Sequence, residues 1–208
     1  MIMEIVVVDP LGVNCVILGD EKTKVGAIVD PGGDASDILA AVERLGLTVK
    51  YIINTHGHFD HIGANAEVKE KTGAELLIHE GDFPMLTRAS QWATQYGLSV
   101  QDSPHPTSYL TDGMKIEIGG LTVEVIHTPG HTPGGCSLYL KEEGIVITGD
   151  TLFADSVGRT DLPGGSHQTL IRSIREKLLV LPDDTTVWPG HGPSTTIGRE
   201  RHGNPFLT

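Results

Sequence analysis

Apolar positions recur in two different periods along the chain, and the alternation between them sets out its elements. Residues 3–8, 13–18 and 25–29 are short, β-branched runs. The turn residues Pro10-Leu11-Gly12 and Gly19-Asp20 separate them, so an antiparallel meander is predicted. Asp30-Pro31-Gly32-Gly33 ends it. A helix is expected over 35–45, with Asp34 as its cap, Ile38, Leu39, Val42 and Leu45 as its apolar stripe and Gly46 as its stop. Residues 49–54 read as a buried strand, 62–72 as a helix ended by Gly73, and 75–79 as another strand. Residues 81–108 are polar and weakly periodic, with Trp92 and Tyr96 as large anchors. They are expected to form a short helix and a surface loop bordering a cleft. Alternation returns on both sides of Gly119-Gly120, a hairpin of 114–118 and 121–126. Strands at 136–140 and 144–149 follow. A helix over 167–179 then has Ser166 as its cap and Leu170, Ile171, Ile174 and Leu178 as its apolar face, and a short strand follows at 185–188. The order suggests an α/β protein built from two related halves.

Candidate chemistry sits just past the strand at 49–54, in Thr55-His56-Gly57-His58-Phe59-Asp60-His61. Imidazoles with a carboxylate suit zinc, iron or manganese, whereas a softer site would show thiolates. His56 and His58, two apart on extended backbone, project to one side and can share an ion. Asp60 and His61 follow where the chain turns into a helix, placed to reach a second ion. Further donors occur in matching contexts. His131 lies past the strand ending at Ile126, Asp150 ends Ile145-Val146-Ile147-Thr148-Gly149-Asp150, and His191 follows Val187-Trp188-Pro189-Gly190. Ligands on loops at strand ends are where a rigid site is expected. His79, His105, His167 and His202 stand alone, and His127 points away from His131; these read as structural or solvated.

Composition narrows the picture. The 208 residues fit one domain, and 38% hydrophobic with 20% charged residues is ordinary for a globular chain. Cys15 and Cys136 lie far apart and outside any redox or metal spacing, so they read as free, half-buried thiols of a reducing cytoplasm. A net charge of -12 argues against a nucleic-acid surface. No apolar run is long enough to span a membrane, and the N-terminus does not read as a signal peptide.

The set His56, His58, Asp60, His61, His131, Asp150 and His191 resembles the metallo-β-lactamase superfamily. Thr128-Pro129-Gly130-His131-Thr132-Pro133-Gly134 and Thr148-Gly149-Asp150-Thr151-Leu152-Phe153 are similar to its glyoxalase II branch, in particular the short single-domain hydroxyacylglutathione hydrolase-like members. That resemblance implies a four-layer αββα sandwich, with two mixed sheets and helices on the outer faces, and no separate C-terminal helical domain. It implies two divalent metal ions, zinc first, with iron or manganese as alternatives. His56, His58 and His131 would hold one ion, Asp60, His61 and His191 the other, and Asp150 would bridge them. The implied reaction is hydrolysis of a thioester such as S-lactoylglutathione, in which Asp60 also orients the attacking hydroxide. Arg159, after Val157-Gly158, stands where the branch places a substrate-binding basic residue.

Two family features are altered: Asp161 replaces an aromatic, and Gly192-Pro193 stand where a tyrosine is expected. An anionic substrate would need positive charge in an acidic protein, for which Arg159 is the first choice and Arg199 and Arg201 the second. The alternative enzyme of this fold is a mononuclear-iron persulfide dioxygenase. It resembles the chain at Gly158-Arg159-Thr160-Asp161 and would use His56, His131 and Asp150, while Leu162-Pro163-Gly164-Gly165 favours the hydrolase. A lactonase and a non-catalytic metal-binding protein rank lower. The expected partner is a small-molecule thioester, with glutathione as a candidate carrier, and the chain is expected to be a monomer or a small homo-oligomer.

Overall fold

The computed structural model describes residues 1–207. Each half of the chain contributes one sheet. The first contains β1 (Ile2–Val8), β2 (Val13–Gly19), β3 (Val25–Val29), β4 (Thr48–Ile53), β5 (Glu75–His79) and β6 (Ser108–Leu110), side by side in that order. The second contains β7 (Lys115–Ile118), β8 (Leu121–His127), β9 (Cys136–Leu140), β10 (Ile145–Gly149) and, after a small β11 (Leu152–Phe153) and β12 (Ser156–Val157) ribbon, β13 (Thr186–Pro189) and β14 (Thr195–Thr196). Its spatial order is β14-β13-β10-β9-β8-β7. Both sheets are mixed. β1 to β3 form the expected meander and β3 to β6 run parallel, while β10 and β13 form the parallel pair of the second sheet.

The period-2 pattern explains the layering. Along β2, Val13, Cys15 and Ile17 face outward beneath helix α1 (Ala35–Leu45), while Val16 and Leu18 face the second sheet. Val16, Leu18, Val29, Ile53 and Leu77 meet Ile116, Val123, Val125 and Leu138 in the layer between the sheets. The far face of the second sheet, with Tyr139, Val146 and Val187, is covered by Leu170, Ile174 and Leu178. A four-layer αββα sandwich results, as expected. No helix among the described residues is long and apolar enough to cross a membrane.

Several expectations are corrected. Asp34 does not cap α1: it has a left-handed backbone, and its carboxylate accepts a hydrogen bond from the Asp9 amide at 2.7 Å instead. Gly46, at φ 67°, does stop the helix. The helix expected over 62–72 is two pieces, α2 (Phe59–Ile62) and α3 (Asn65–Thr72), so the His cluster runs directly into a helical turn. The stretch after β5 is more helical than its weak periodicity suggests, with α4 (Phe83–Leu86) and α5 (Ala89–Gln95) folded over α2. Here tertiary packing of Ile78, Leu86, Ala89 and Ala93 on Phe59 and Ile62 substitutes for an amphipathic stripe.

Ser166 caps α6 (His167–Ser173) as expected, accepting from the Thr169 amide. The helix continues as a π-helical turn over Ile174–Leu178. A further helix, α7 (Ile197–Gly203), and the ribbon β11–β12 were not expected. Both cysteines are fully, rather than half, buried.

Leu138 lies at the middle of the inter-sheet layer with no exposed surface. Leu138→Ala is expected to cost about 2–5 kcal/mol of stability through lost burial and the cavity left behind. Urea unfolding followed by circular dichroism measures this.

Candidate metal centre

β4 ends at Ile53, and Asn54-Thr55 carry the chain out to His56. Extended backbone at His58 then leads into α2, whose first turn holds Asp60 and His61. β8, β10 and β13 run in one direction through the second sheet, and their C-terminal loops carry His131, Asp150 and His191 to the same edge. The first sheet also reaches across. Asn14 donates through Nδ2 to the carbonyls of Pro189 and Gly192 at 2.9 Å each, and its amide donates to Gly190 at 2.7 Å. Gly190 itself is required, since a side chain there would run into the Asp150 carboxylate and the His61 ring.

All seven donor residues expected at the centre come together. Donor atoms of His56, His58 and His131 form one group, and those of Asp60, His61 and His191 another, each group within 4.8 Å. Asp150 lies between them, with Oδ1 3.4 Å from His61 Nε2 and Oδ2 3.5 Å from His131 Nε2 and 3.6 Å from His191 Nε2.

Hydrogen bonds assign the imidazole tautomers. His131 Nδ1 donates to the Arg159 carbonyl at 2.7 Å, and His191 Nδ1 to the Leu11 carbonyl at 3.2 Å. His61 Nδ1 donates to Asp30 Oδ2 at 3.0 Å. His56 Nδ1 donates to the Thr55 hydroxyl at 3.1 Å, and that hydroxyl donates in turn to Asp30 at 2.6 Å. In each ring the Nδ1 proton is held outward and Nε2 is turned inward. His58 presents Nδ1 instead, 2.9 Å from His131 Nε2, and His61 Nε2 lies 3.3 Å from His191 Nε2.

Nitrogens facing at these distances need a proton or a metal cation between them. His56 Nε2 and Asp150 Oδ1 are also buried without any hydrogen-bond partner, a costly state for polar atoms. The residues therefore fit divalent metal ions, and imidazole-carboxylate donors suit zinc, iron or manganese.

The electrostatics agree. Burial, reinforced by the neighbouring imidazoles, holds His56 well below the usual histidine range, and burial beside His131 brings His58 down to about 3, so both are neutral donors. Burial would raise the Asp60 carboxyl, but His61 and His191 outweigh it and keep Asp60 ionised. Burial would lower His61, yet Asp150, Asp60 and Asp30 push it up to about 10. The field that raises His61 is one that favours a cation.

Two important residues were not anticipated. Asp30, in a sequence that reads only as a turn, is buried and accepts from the Thr55 amide and hydroxyl and from His61. Its donor atom also clusters with those of His56 and His61, but both of its oxygens are already occupied, so it orients ligands rather than serving as one. Asp82 ties two ligand loops together. It accepts from the Gly57 amide on one and from the Thr132 hydroxyl and Gly134 amide on the other, at 2.9, 2.7 and 2.6 Å.

A cleft of about 240 Å³ opens over the donors, and Trp92, Tyr96 and Arg159 all line it. Arg159 is thus where an anion-binding residue was expected, but both Nε and Nη2 are engaged by the Asp161 carboxylate at 2.8 Å. Arg199 and Arg201 do not line the cleft. Arg199 pairs with Asp155 at 2.6 Å, while Arg201 binds the carbonyls of Leu179 and Leu181 and pairs with Asp183. His127 stacks on His79 with ring centroids 4.1 Å apart, away from the centre as expected.

An αββα sandwich with imidazoles and carboxylates converging at one edge defines a metal-dependent hydrolase. The profile of the Metallo-beta-lactamase superfamily matches residues 8–191, and the chain belongs to that superfamily. Hydroxyacylglutathione hydrolase GloC of Haemophilus influenzae is 40% identical over 209 residues, which span all of this chain and 98% of that protein. The crystal structure of the BLEG-1 B3 metallo-beta-lactamase is 39% identical with a TM-score of 0.93 over the full length of both chains. That of TTHA1623 in a di-iron-bound form is 39% identical with a TM-score of 0.91, covering 98% of this chain and all of the other.

Because Asp30 fixes both His61 and, through Thr55, His56, Asp30→Asn is expected to weaken metal binding about 10- to 100-fold. Competition with a chelating indicator measures the loss, with circular dichroism checking that the fold survives.

Proposed function

We propose that this chain hydrolyses thioesters at a dinuclear metal centre. In this reading His56, His58 and His131 would hold one ion, Asp60, His61 and His191 a second, and Asp150 would serve both. The observation that carries it is the position of the Asp150 carboxylate between two separate donor groups. The 40% identity to hydroxyacylglutathione hydrolase GloC supports a thioester as the bond cleaved. Zinc is the first candidate metal, and the di-iron form of TTHA1623 keeps iron in view.

Two divalent ions held there supply an acidified water at neutral pH and a Lewis acid for the carbonyl oxygen. The chain's own residues do the positioning. Asp60, with Oδ2 3.7 Å from His61 Nε2 and 3.4 Å from His191 Nε2, can accept a hydrogen bond from the attacking water and orient its lone pair toward the carbonyl carbon. The outward-held Nδ1 protons of His56, His61, His131 and His191 keep four imidazoles from rotating. A thiolate leaves from a thiol of pKa about 8.5 and needs little help from a general acid. An amine leaving group would need a proton, for which the Tyr96 phenol is the neutral acid lining the cleft. Thioesters therefore ask less of the site than β-lactams do.

A second reading has one specific observation behind it. His56 Nε2 and Asp150 Oδ1, the two unpartnered atoms, both belong to the set His56, His131 and Asp150 that a mononuclear-iron persulfide dioxygenase would use.

Elemental analysis of the purified protein should give two ions per chain, together with hydrolysis of S-lactoylglutathione. Asp150→Ala should lose both ions, while His191→Ala should mainly weaken one. A single iron with an empty second position, no thioester cleavage and O₂ uptake on glutathione persulfide would replace the hydrolase with the dioxygenase.

A further inference from the structure

The cleft above the donors has an asymmetric wall. Leu11, Phe59, Met85, Trp92, Tyr96 and Leu162 present apolar surface around its mouth. The Phe59 and Tyr96 rings meet at a 38° tilt, with centroids 5.6 Å apart. Leu11 and Tyr96 are 50% and 52% exposed, so the inter-helical packing of α2, α4 and α5 does not use up this surface. An exposed, concave apolar surface rimmed by a polar centre is the usual form of a ligand subsite. The charged groups of the cleft tell the same story. Among the described residues lining it, Arg159 carries the sole guanidinium or ammonium group. That guanidinium is held in a bidentate pair by Asp161, two residues along the same loop. A substrate carboxylate would have to displace a tethered competitor of identical chemistry, in a protein of net charge -12.

We propose that the cleft selects thioesters with an uncharged, apolar arm seated against Trp92 and Tyr96, and that Asp161 acts as a specificity residue by masking Arg159 from anionic carriers. The proposal rests on the thioester reading for the bond cleaved, but the recognition it describes is measurable without cleavage. Asp161 touches no reacting atom and acts through Arg159. The partner position on the loop is open to change, since Asp161 is exposed and makes no further side-chain bond among the described residues.

The test is isothermal titration of the metal-loaded protein with four unreactive thioethers: S-methyl and S-benzyl, each on glutathione and on neutral N-acetylcysteamine. Benzyl forms should bind more tightly than methyl forms by on the order of 10- to 100-fold, from apolar burial alone. The neutral carrier should bind at least as well as glutathione. Trp92→Ala should collapse the benzyl-to-methyl ratio, and Tyr96→Ala, at a half-exposed position that leaves the fold intact, should reduce it independently. Asp161→Ala should tighten both glutathione thioethers by about two- to fivefold, the range of an exposed ion pair, and leave the neutral ones unchanged. Tighter wild-type binding of glutathione than of the neutral carrier, or no gain for glutathione in Asp161→Ala, would overturn the masking role. A benzyl-to-methyl ratio near one, or one untouched by Tyr96→Ala, would overturn the apolar subsite. Failure of the thioester reading would show separately, as absent cleavage of both S-lactoylglutathione and a benzyl thioester by protein that still binds the thioethers.

Discussion

Seven ligand-type side chains with unshared electron pairs converge in a largely buried space, and that convergence opposes folding. Each imidazole gives up water, and donor atoms face one another at close range. The rest of the molecule supplies what offsets this. The inter-sheet layer buries Val16, Leu18, Ile53, Leu77 and Leu138 completely or nearly so, and the outer helices add two further apolar layers. A cation among the donors would turn the same crowding from a cost into a gain, since binding energy for the folded form adds to stability.

Rigidity in the centre comes from groups that never face the ion positions. Thr55 and Asp30 lock His56 and His61, backbone carbonyls of Arg159 and Leu11 lock His131 and His191, and Asp82 clamps the loops that bear His58 and His131. Every one of these links is long in sequence except that between Thr55 and His56. The arrangement thus relies on the two sheets keeping their mutual position, and Asn14 enforces it where β2 meets the His191 loop.

Much of this was legible in the chain because its origin is local. The His56 to His61 cluster is a short motif, and His131, Asp150 and His191 each follow an apolar run that could only be a buried strand. The meander, the 119–120 hairpin and the Ser166 cap rest on turn and cap chemistry within a few residues. What escaped depends on distant partners. Asp30 looks like a turn residue until Thr55 and His61 are folded onto it, and Asp34 looks like a cap until Asp9 offers a competing amide. Arg199 and Arg201 were plausible anion ligands by charge, but Asp155, Asp183 and the carbonyls of Leu179 and Leu181 take them. The helices after β5 escaped because they are held by their neighbours rather than by their own periodicity.

The two donor groups also differ in when a growing chain could finish them. His56, His58 and His131 are all present once residue 131 has been made, whereas Asp60 and His61 wait for His191, near the end of the 208 residues. The loop of His191 is in turn tied to Asn14, close to the start. Vectorial synthesis therefore completes the two groups in a fixed order, and the second closes only when the last strands dock beside the first. Assembly of the full centre reports that the whole sandwich has folded.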